Sequence, residues 1–506
     1  MHVSGENRKR LALSGLICGL AMIFLDSTVL PVAAPTIQAE LKLTTATINW
    51  IINAYFLATA TLVLAFGRFA DRIGHRRIFA LGMSIFALAS AMGGFANGSG
   101  WLMISRSLQG IGGAMMSPAS WAIIIDTFPF KERGRAMGIL VGVSSLFLCT
   151  GPSIGGFLTE VLSWRWIFWI NLPIAIMGVI LVLVAVKKNE LSEESFDIPG
   201  FLTFALGVGS LTIALMQGRA WGWGSPVTIT LFSVAVIFLL LLFLTDRYAK
   251  HPFIDFKLYL HRIYRGGSLL VFLAQFVMTA SIFWPIFFQK ALNMSPLAAG
   301  GVTLISTVPI LAAAPLSGWM QDRLGPFLPI FLGFCLQIAS LVSFAILVEK
   351  GNITYLIPSL LLFGTGIALY MPPNSTSTLA ALPPRKNGLG SGMFYTARFT
   401  GGTLGIALLG SLISNLHYRR FWALVAEIDL PTSFIVSGLW KKIGNGAIHD
   451  PQFQALPEVT QNLINNAYLK SYEFSFTMTH FFAALVAVIA LIVAIRTYYN
   501  YSHESN

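Results

Sequence analysis

Charged side chains are scarce here: Asp, Glu, Lys and Arg make up 11% of the 506 residues. A soluble globular chain carries about 25%. With an apolar content of 55%, that shortfall excludes a soluble protein and indicates one that crosses a membrane many times. Cysteine is nearly missing. Cys18, Cys149 and Cys335 each lie inside an apolar run, which excludes a disulfide framework and leaves them as small packing residues. No Gly-x-x-x-x-Gly-Lys-Ser/Thr loop occurs, so ATP is not the direct energy source. The run after the basic tail Met1–Arg10 is too long for a cleavable signal peptide and reads as a first span.

A helix needs roughly 20 apolar residues to cross the hydrocarbon core. Fourteen such segments are expected, near 11–37, 46–68, 78–97, 101–125, 135–160, 165–186, 198–216, 226–246, 267–289, 297–320, 327–348, 355–380, 389–414 and 475–497. The basic residues test this count, because Lys and Arg accumulate in cytoplasmic loops. An even number of spans starting inside puts 21 of the 33 Lys and Arg in the cytoplasm, Arg8, Lys9, Arg10, Arg76, Arg77, Lys187 and Lys188 among them. Short outer loops hold five (Lys42, Arg165, Arg219, Lys290 and Lys350), the long segment after span 13 holds five more, and two lie within the membrane. Both termini are therefore expected in the cytoplasm. The net charge of +12 belongs to the inner membrane surface, where it meets anionic lipid, and not to a nucleic-acid partner.

One motif occurs twice. Gly67-Arg68-Phe69-Ala70-Asp71-Arg72-Ile73-Gly74-His75-Arg76-Arg77 follows span 2, and Gly318-Trp319-Met320-Gln321-Asp322-Arg323-Leu324-Gly325 follows span 10, 251 residues later. A charged tight turn between two spans, present twice, indicates a duplicated helical transporter. Six spans with short loops occupy roughly 180–200 residues, so the longer offset implies two further spans between the halves. The motif resembles the signature loop of the major facilitator superfamily. The six-two-six layout resembles its fourteen-span drug:proton antiporters. The implied fold is all-α and polytopic: a six-helix bundle over 1–190, two inserted helices and a linker over 191–265, and a second six-helix bundle over 266–506.

Further segments carry the same resemblance. Leu25-Asp26-Ser27-Thr28-Val29 with Ala34-Pro35-Thr36-Ile37 looks like the family's first-helix motif, with Pro31 where an Asn is usual. Arg106-Ser107-Leu108-Gln109-Gly110 in span 4 resembles the motif whose arginine is implicated in proton coupling. Gly142 through Gly151-Pro152-Ser153-Ile154-Gly155-Gly156 in span 5 resembles the antiporter signature of exporters. Residues 151–155 also spell Gly-x-Ser-x-Gly, but a nucleophile elbow needs a strand-to-helix turn, and this sequence lies mid-span with no partnering His and acid at membrane depth. The glycines there would admit a neighbouring helix, and Pro152 would bend span 5 where the halves meet.

Ionisable groups inside a bilayer cost about 2.5–3.5 kcal/mol or more each, so they are functional candidates. Asp26, Arg106 and Arg398 lie well within spans. Asp26 is expected to carry the exchanged proton and Arg106 to tune it, a static buried ion pair being the competing reading. Arg398 would hold an anionic substrate group, partner Asp26, or bind backbone carbonyls. Asp71 and Arg72 would pair with facing charges or cap a helix, so that Gly67, Asp71, Arg72, Gly74 and Arg76, with Gly318, Asp322, Arg323 and Gly325, form a conformational latch. Candidate cavity residues are Tyr55, Gln109, Met115, Gln275, Trp284, Tyr370, Asn374 and Tyr395, with Arg398. The only sizeable loop, 416–473, is expected outside. Phe453, Leu456, Val459, Leu463 and Ile464 suggest a short amphipathic helix there, covering the outer mouth or docking a periplasmic adaptor.

The resemblance implies proton-coupled export of amphipathic small molecules by alternating access, as in multidrug efflux, from the inner membrane. Neither metal nor cofactor is expected, protons being the coupling ion. Its partners would be small-molecule substrates and the lipid bilayer. The alternatives are an exporter of an endogenous metabolite or siderophore, an uptake symporter, and a receptor or enzyme that transports nothing.

Overall fold

The computed structural model describes residues 5–187, 196–249, 252–383, 386–427 and 457–499. Among them every regular element is helical, because backbone groups inside a bilayer must find their hydrogen bonds within the chain. Among the described residues fourteen helices are long and apolar enough to cross a membrane. In chain order, spans 1–7 are Gly5–Glu40, Ala46–Ile73, His75–Gly94, Ser99–Thr127, Lys131–Val161, Trp166–Ala185 and Ile198–Gly218. Spans 8–14 are Pro226–Tyr248, Arg262–Lys290, Ala298–Leu324, Phe327–Lys350, Ile353–Ala380, Asn387–Val425 and Glu458–Tyr498. Each overlaps one expected segment.

Local chemistry sets the boundaries. The Thr44 hydroxyl accepts from the Thr47 N–H (3.1 Å) ahead of span 2, and the Asp197 carboxylate accepts from the Gly200 N–H (2.9 Å) at span 7. Gly74 and Gly325, equivalent residues of the repeated motif, end their helices at φ 110° and 79°, a region that suits glycine alone. Two spans of the second half are broken. Span 9 passes through a 3-10 stretch at Thr279–Phe283, and span 10 consists of Pro296–Leu304 and Val308–Leu324. Pro285 and Pro309, just after these breaks, lack the N–H that a continuous helix would use.

Spans 1–6 and spans 9–14 form two bundles; one apolar cluster belongs to spans 9–14, another to spans 1, 2, 4 and 6, and a third runs from spans 1–6 across the seam to spans 9, 12 and 13. Spans 7 and 8 pair with each other, and span 7 leans on span 2 of one bundle and span 13 of the other. The bundles meet along span 5 with span 10 and span 2 with span 13. These contacts crowd towards the end that carries both termini. A Cβ on Gly134 would strike the Gly318 carbonyl, one on Gly138 the Ala314 carbonyl, and one on Gly67 the Gly388 carbonyl. Farther out, span 5 turns to span 1 of its own half, with Gly151 against Thr28 and Gly155 against Val29. The halves are thus closed together at the termini end.

The expected loop 416–473 needs correction. Span 13 continues to Val425 and span 14 starts at Glu458, so only a shorter connection remains, and residues 428–456 lie outside the described residues. Val459, Leu463 and Ile464 belong to the start of span 14 and not to a separate amphipathic helix; Phe453 and Leu456 lie outside the described residues. Spans 13 and 14 have 39 and 41 residues. At 1.5 Å per residue each is about 60 Å long, twice the hydrocarbon thickness of ~30 Å. Beyond the membrane each helix persists because the other covers its apolar stripe: His417, Phe421 and Val425 pack with Ile464, Tyr468 and Tyr472.

Candidate functional site

Span 1 delivers Asp26 and span 4 delivers Arg106 to the same point inside the first bundle, where they form a salt bridge with 4% and 1% of the residue exposed. Gln109, one turn after Arg106, closes the arrangement. Its Nε2 donates to Asp26 Oδ1 (3.0 Å) and to Ser90 Oγ (2.7 Å), and its Oε1 accepts from an Arg106 nitrogen (2.7 Å). Asn171 Nδ2 reaches the same Ser90 hydroxyl at 3.3 Å. The Tyr55 ring covers the guanidinium, whose carbon lies 4.7 Å from the ring centre. Gly110 permits this geometry by letting the Tyr55 carbonyl approach span 4, where any Cβ would collide. One carboxylate, one guanidinium and one carboxamide therefore share a sealed polar site.

Of the nine expected cavity residues, Tyr55 and Gln109 join this site. Met115 packs in the core of the first bundle. Trp284 lies in the core of the second, stacked on Phe344 and donating its indole N–H to His480 Nε2 at 2.8 Å. Asn374 is buried towards the termini end, donating to the Gly267 carbonyl (3.1 Å) and accepting from Tyr498 (2.9 Å). The remaining four lie on spans 9, 12 and 13, and Tyr395 among them reaches across the seam. Tyr395 accepts the indole N–H of Trp121 from the other half, Arg398 Nε donates to Gln275 Oε1 (3.0 Å), and Tyr370 stacks on Phe334 within electrostatic range of Arg398. The nine do not line one cavity.

The two signature aspartates act as caps across the seam. Asp71 accepts from the N–H groups of Gly388 (2.6 Å) and Leu389 (2.7 Å) at the start of span 13. Asp322 accepts from Gly134 (3.0 Å) and Arg135 (2.9 Å) near the start of span 5. Their neighbours behave otherwise than expected. Arg72 and Arg323 are exposed and make no ion pair among the described residues; Arg323 lies over the Trp319 ring, and the facing groups that the motif does engage are backbone N–H groups, taken by the aspartates. Arg76 donates to the Val186 carbonyl at 3.2 Å.

Sequence reasoning passed over several partners. His75, inside the motif, bridges Asp71 (3.1 Å) and Asp126 (2.8 Å), and Asn387 also reaches Asp126 (3.4 Å). His480 lies within span 14, so a histidine does occur at membrane depth, and Trp121 and Ser90 are further partners. A lone His in an apolar run was the available signal for His480. Trp121 and Ser90 gave none.

The antiporter motif divides its contacts. Gly142 faces Pro315 of the other half, Gly151 and Gly155 face span 1, and Gly156 has nothing within 4 Å of the place a Cβ would take. Ser153 is exposed inside the span 5 helix, not on a strand-to-helix turn.

The family model of the Major Facilitator Superfamily matches residues 16–406. The riboflavin transporter RibZ of Clostridioides difficile (strain 630) is 32% identical over 410 residues, 80% of this chain and 89% of that protein. The tetracenomycin C resistance and export protein of Streptomyces glaucescens is 31% identical over 416 residues, 82% of this chain and 77% of that protein. Among solved structures, the human organic anion transporter MFSD10 (TETRAN) superposes with a TM-score of 0.61, covering 97% of this chain and all of that one at 12% identity, which shows the shared fold.

Proposed function

This chain belongs to the Major Facilitator Superfamily, and from that membership we propose that it exports amphipathic small molecules in exchange for protons. The observation that carries the reading is the sealed Asp26–Arg106–Gln109 site. The carboxylate is sealed against a guanidinium and a carboxamide, and its surroundings change when two bundles rock, which suits it to exchange a proton.

With the basic face cytoplasmic and the protein in the inner membrane, the closed end is the inner one. Asp26 then takes a proton from outside. The halves rock, breaking the Asp71 and Asp322 caps, and the proton leaves to the cytoplasm as cargo binds. Cargo is released outside after the return step. A proton-motive force of ~150 mV supplies about 3.5 kcal/mol per proton. That sustains a roughly 300-fold cargo gradient at one proton each. The relatives named for multidrug resistance and for tetracenomycin C export support export as the direction. The relative named as a riboflavin transporter favours a second reading, in which the same machine carries a metabolite.

The test is efflux of a fluorescent amphipathic dye from inverted vesicles, wild type against Asp26→Asn, with and without an imposed pH gradient. Gradient-driven movement lost in the variant is the expected result. Equal gradient-driven movement in both would remove Asp26 from the coupling step.

A further inference from the structure

Among the described residues Arg398 has no ion-pair partner. Asp26, the one carboxylate expected at comparable depth, is committed to Arg106 in the other bundle. The single hydrogen bond that Arg398 makes among the described residues runs from Nε to the Gln275 carboxamide, and its nearest aromatic contact is the Tyr395 ring, 5.9 Å from the guanidinium carbon. The two terminal nitrogens donate to no described group. Neither is among the fully buried polar atoms without a partner, and the residue is half-buried.

The direction of that space follows from the helix. Residues three apart share a face, so Arg398 looks the same way as Tyr395. Tyr395 meets Trp121 across the seam, and one turn earlier Ser391 Oγ donates to the Pro118 carbonyl at 3.1 Å. These contacts close the floor between the halves. Arg398 is the next step outward, beyond the last of them. Gly401 and Gly402 hold span 9 close, with Gly402 packed on Gln275, which fixes the guanidinium by its Nε and leaves both terminal nitrogens to a ligand.

We propose that Arg398 is the anion-binding group of the transport cavity, and that the cargo is an aromatic anion whose carboxylate or phenolate is held by the Arg398 fork over the Trp121–Tyr395 floor, with Tyr370 beside it. This rests on the export reading and narrows its cargo. A guanidinium with two free coplanar donors matches an anionic oxygen pair better than any other group, and the surrounding rings suit a flat apolar body. A cation would meet like charge. The proton site does not cancel this preference, because Asp26 is already neutralised within its own bundle. The membrane potential, negative inside, would also pull such a cargo outward along with the proton gradient.

Two dyes on one xanthene scaffold separate the cases. Fluorescein, anionic at pH 8, and rhodamine 123, cationic, are titrated by fluorescence polarisation onto the full-length protein in phosphatidylcholine nanodiscs. Fluorescein is expected to bind at least about tenfold tighter, and Arg398→Gln to weaken it by about 10- to 100-fold while sparing rhodamine 123, as loss of a charged hydrogen-bonding group does. Arg398→Lys keeps the charge without the fork and should recover part of the loss, which also guards against a misfolded Gln variant. Tighter rhodamine binding, no fluorescein binding, or fluorescein affinity unchanged in Arg398→Gln overturns the proposal. Gradient dependence of fluorescein movement in vesicles is scored separately: binding without it sinks the proton-exchange reading and leaves the anion site standing.

Discussion

Asp71 and Asp322 occupy equivalent places in the two halves, and each carboxylate caps a helix belonging to the opposite half. Asp71 holds the start of span 13, and Asp322 holds the opening turns of span 5. Hydrogen bonds from backbone N–H to a carboxylate gain from ionisation and from the helix dipole. Glycines sit directly under the caps, Gly67 against Gly388 and Gly318 against Gly134, so backbone meets backbone and the carboxylate can reach. The spacing Gly-x-x-x-Asp puts packing contact and cap one turn apart on the same helix face.

Asp71→Asn and Asp322→Asn should therefore each weaken closure of the termini end. Losing a charged acceptor costs about 1.5–3 kcal/mol, enough to shift a two-state equilibrium roughly 10- to 150-fold. Spin-label distances across that end, measured in lipid, should lengthen in each variant and more in the double variant. Unchanged distance distributions would reduce the two aspartates to packing residues.

Alanine at the same contacts acts by bulk. Gly134→Ala and Gly388→Ala each put a methyl into a carbonyl of the facing helix, and overpacking of this kind costs about 1–3 kcal/mol. Gly156→Ala, with open space at its Cβ position, is the internal control from the antiporter motif. Transport should fall at least about fivefold in the first two and stay within about twofold in the third, those factors following from the energies above. Equal loss at all three would mean that helix propensity, not contact, governs these positions.

Removing Arg106 alone should harm stability more than removing it with its partner. Arg106→Leu leaves Asp26 buried without its counter-charge, which costs about 3–5 kcal/mol. The Asp26→Leu/Arg106→Leu double variant removes both charges and should regain much of that. Thermal unfolding in detergent of wild type and the two variants gives the comparison. A double variant no more stable than Arg106→Leu would show that Asp26 does not depend on this arginine.

His480 is predicted to serve the fold only. It accepts from the Trp284 indole and its other ring nitrogen lies 2.8 Å from the Phe476 carbonyl, so both nitrogens are occupied. His480→Leu orphans the indole N–H and should lower stability by about 1–3 kcal/mol. Efflux per folded molecule should stay near wild type. A variant of normal stability that no longer transports would place His480 in the proton path instead.

The fourteen spans, the duplication and the inserted pair were legible because bilayer thickness and the repeated motif impose fixed lengths and spacings. Asp26 and Arg106 were legible as lone charges in apolar runs. Gln109, expected in the cavity, is the third member of their site, and Trp284, also expected there, sits in the core of the second bundle. A polar or aromatic residue in a span signals only that it needs a partner, and the partner lies on another helix. The length of spans 13 and 14 was missed for a related reason: outside the membrane polar residues no longer mark a helix end, since a neighbouring helix can cover the apolar stripe.

By itself the sequence determined a chain of fourteen membrane helices in two related halves, because hydrocarbon admits no other use of such runs. It also marked which few charges were buried. Only the tertiary structure decided that Asp71 and Asp322 cap helices across the seam, that Gly142 faces the other half while Gly151 faces its own, and that Arg398 has no counter-charge among the described residues. Each of these depends on which helix faces which, and at what rotation. That is set by close packing of many weak contacts distributed over the whole bundle, and no local pattern in the chain encodes it.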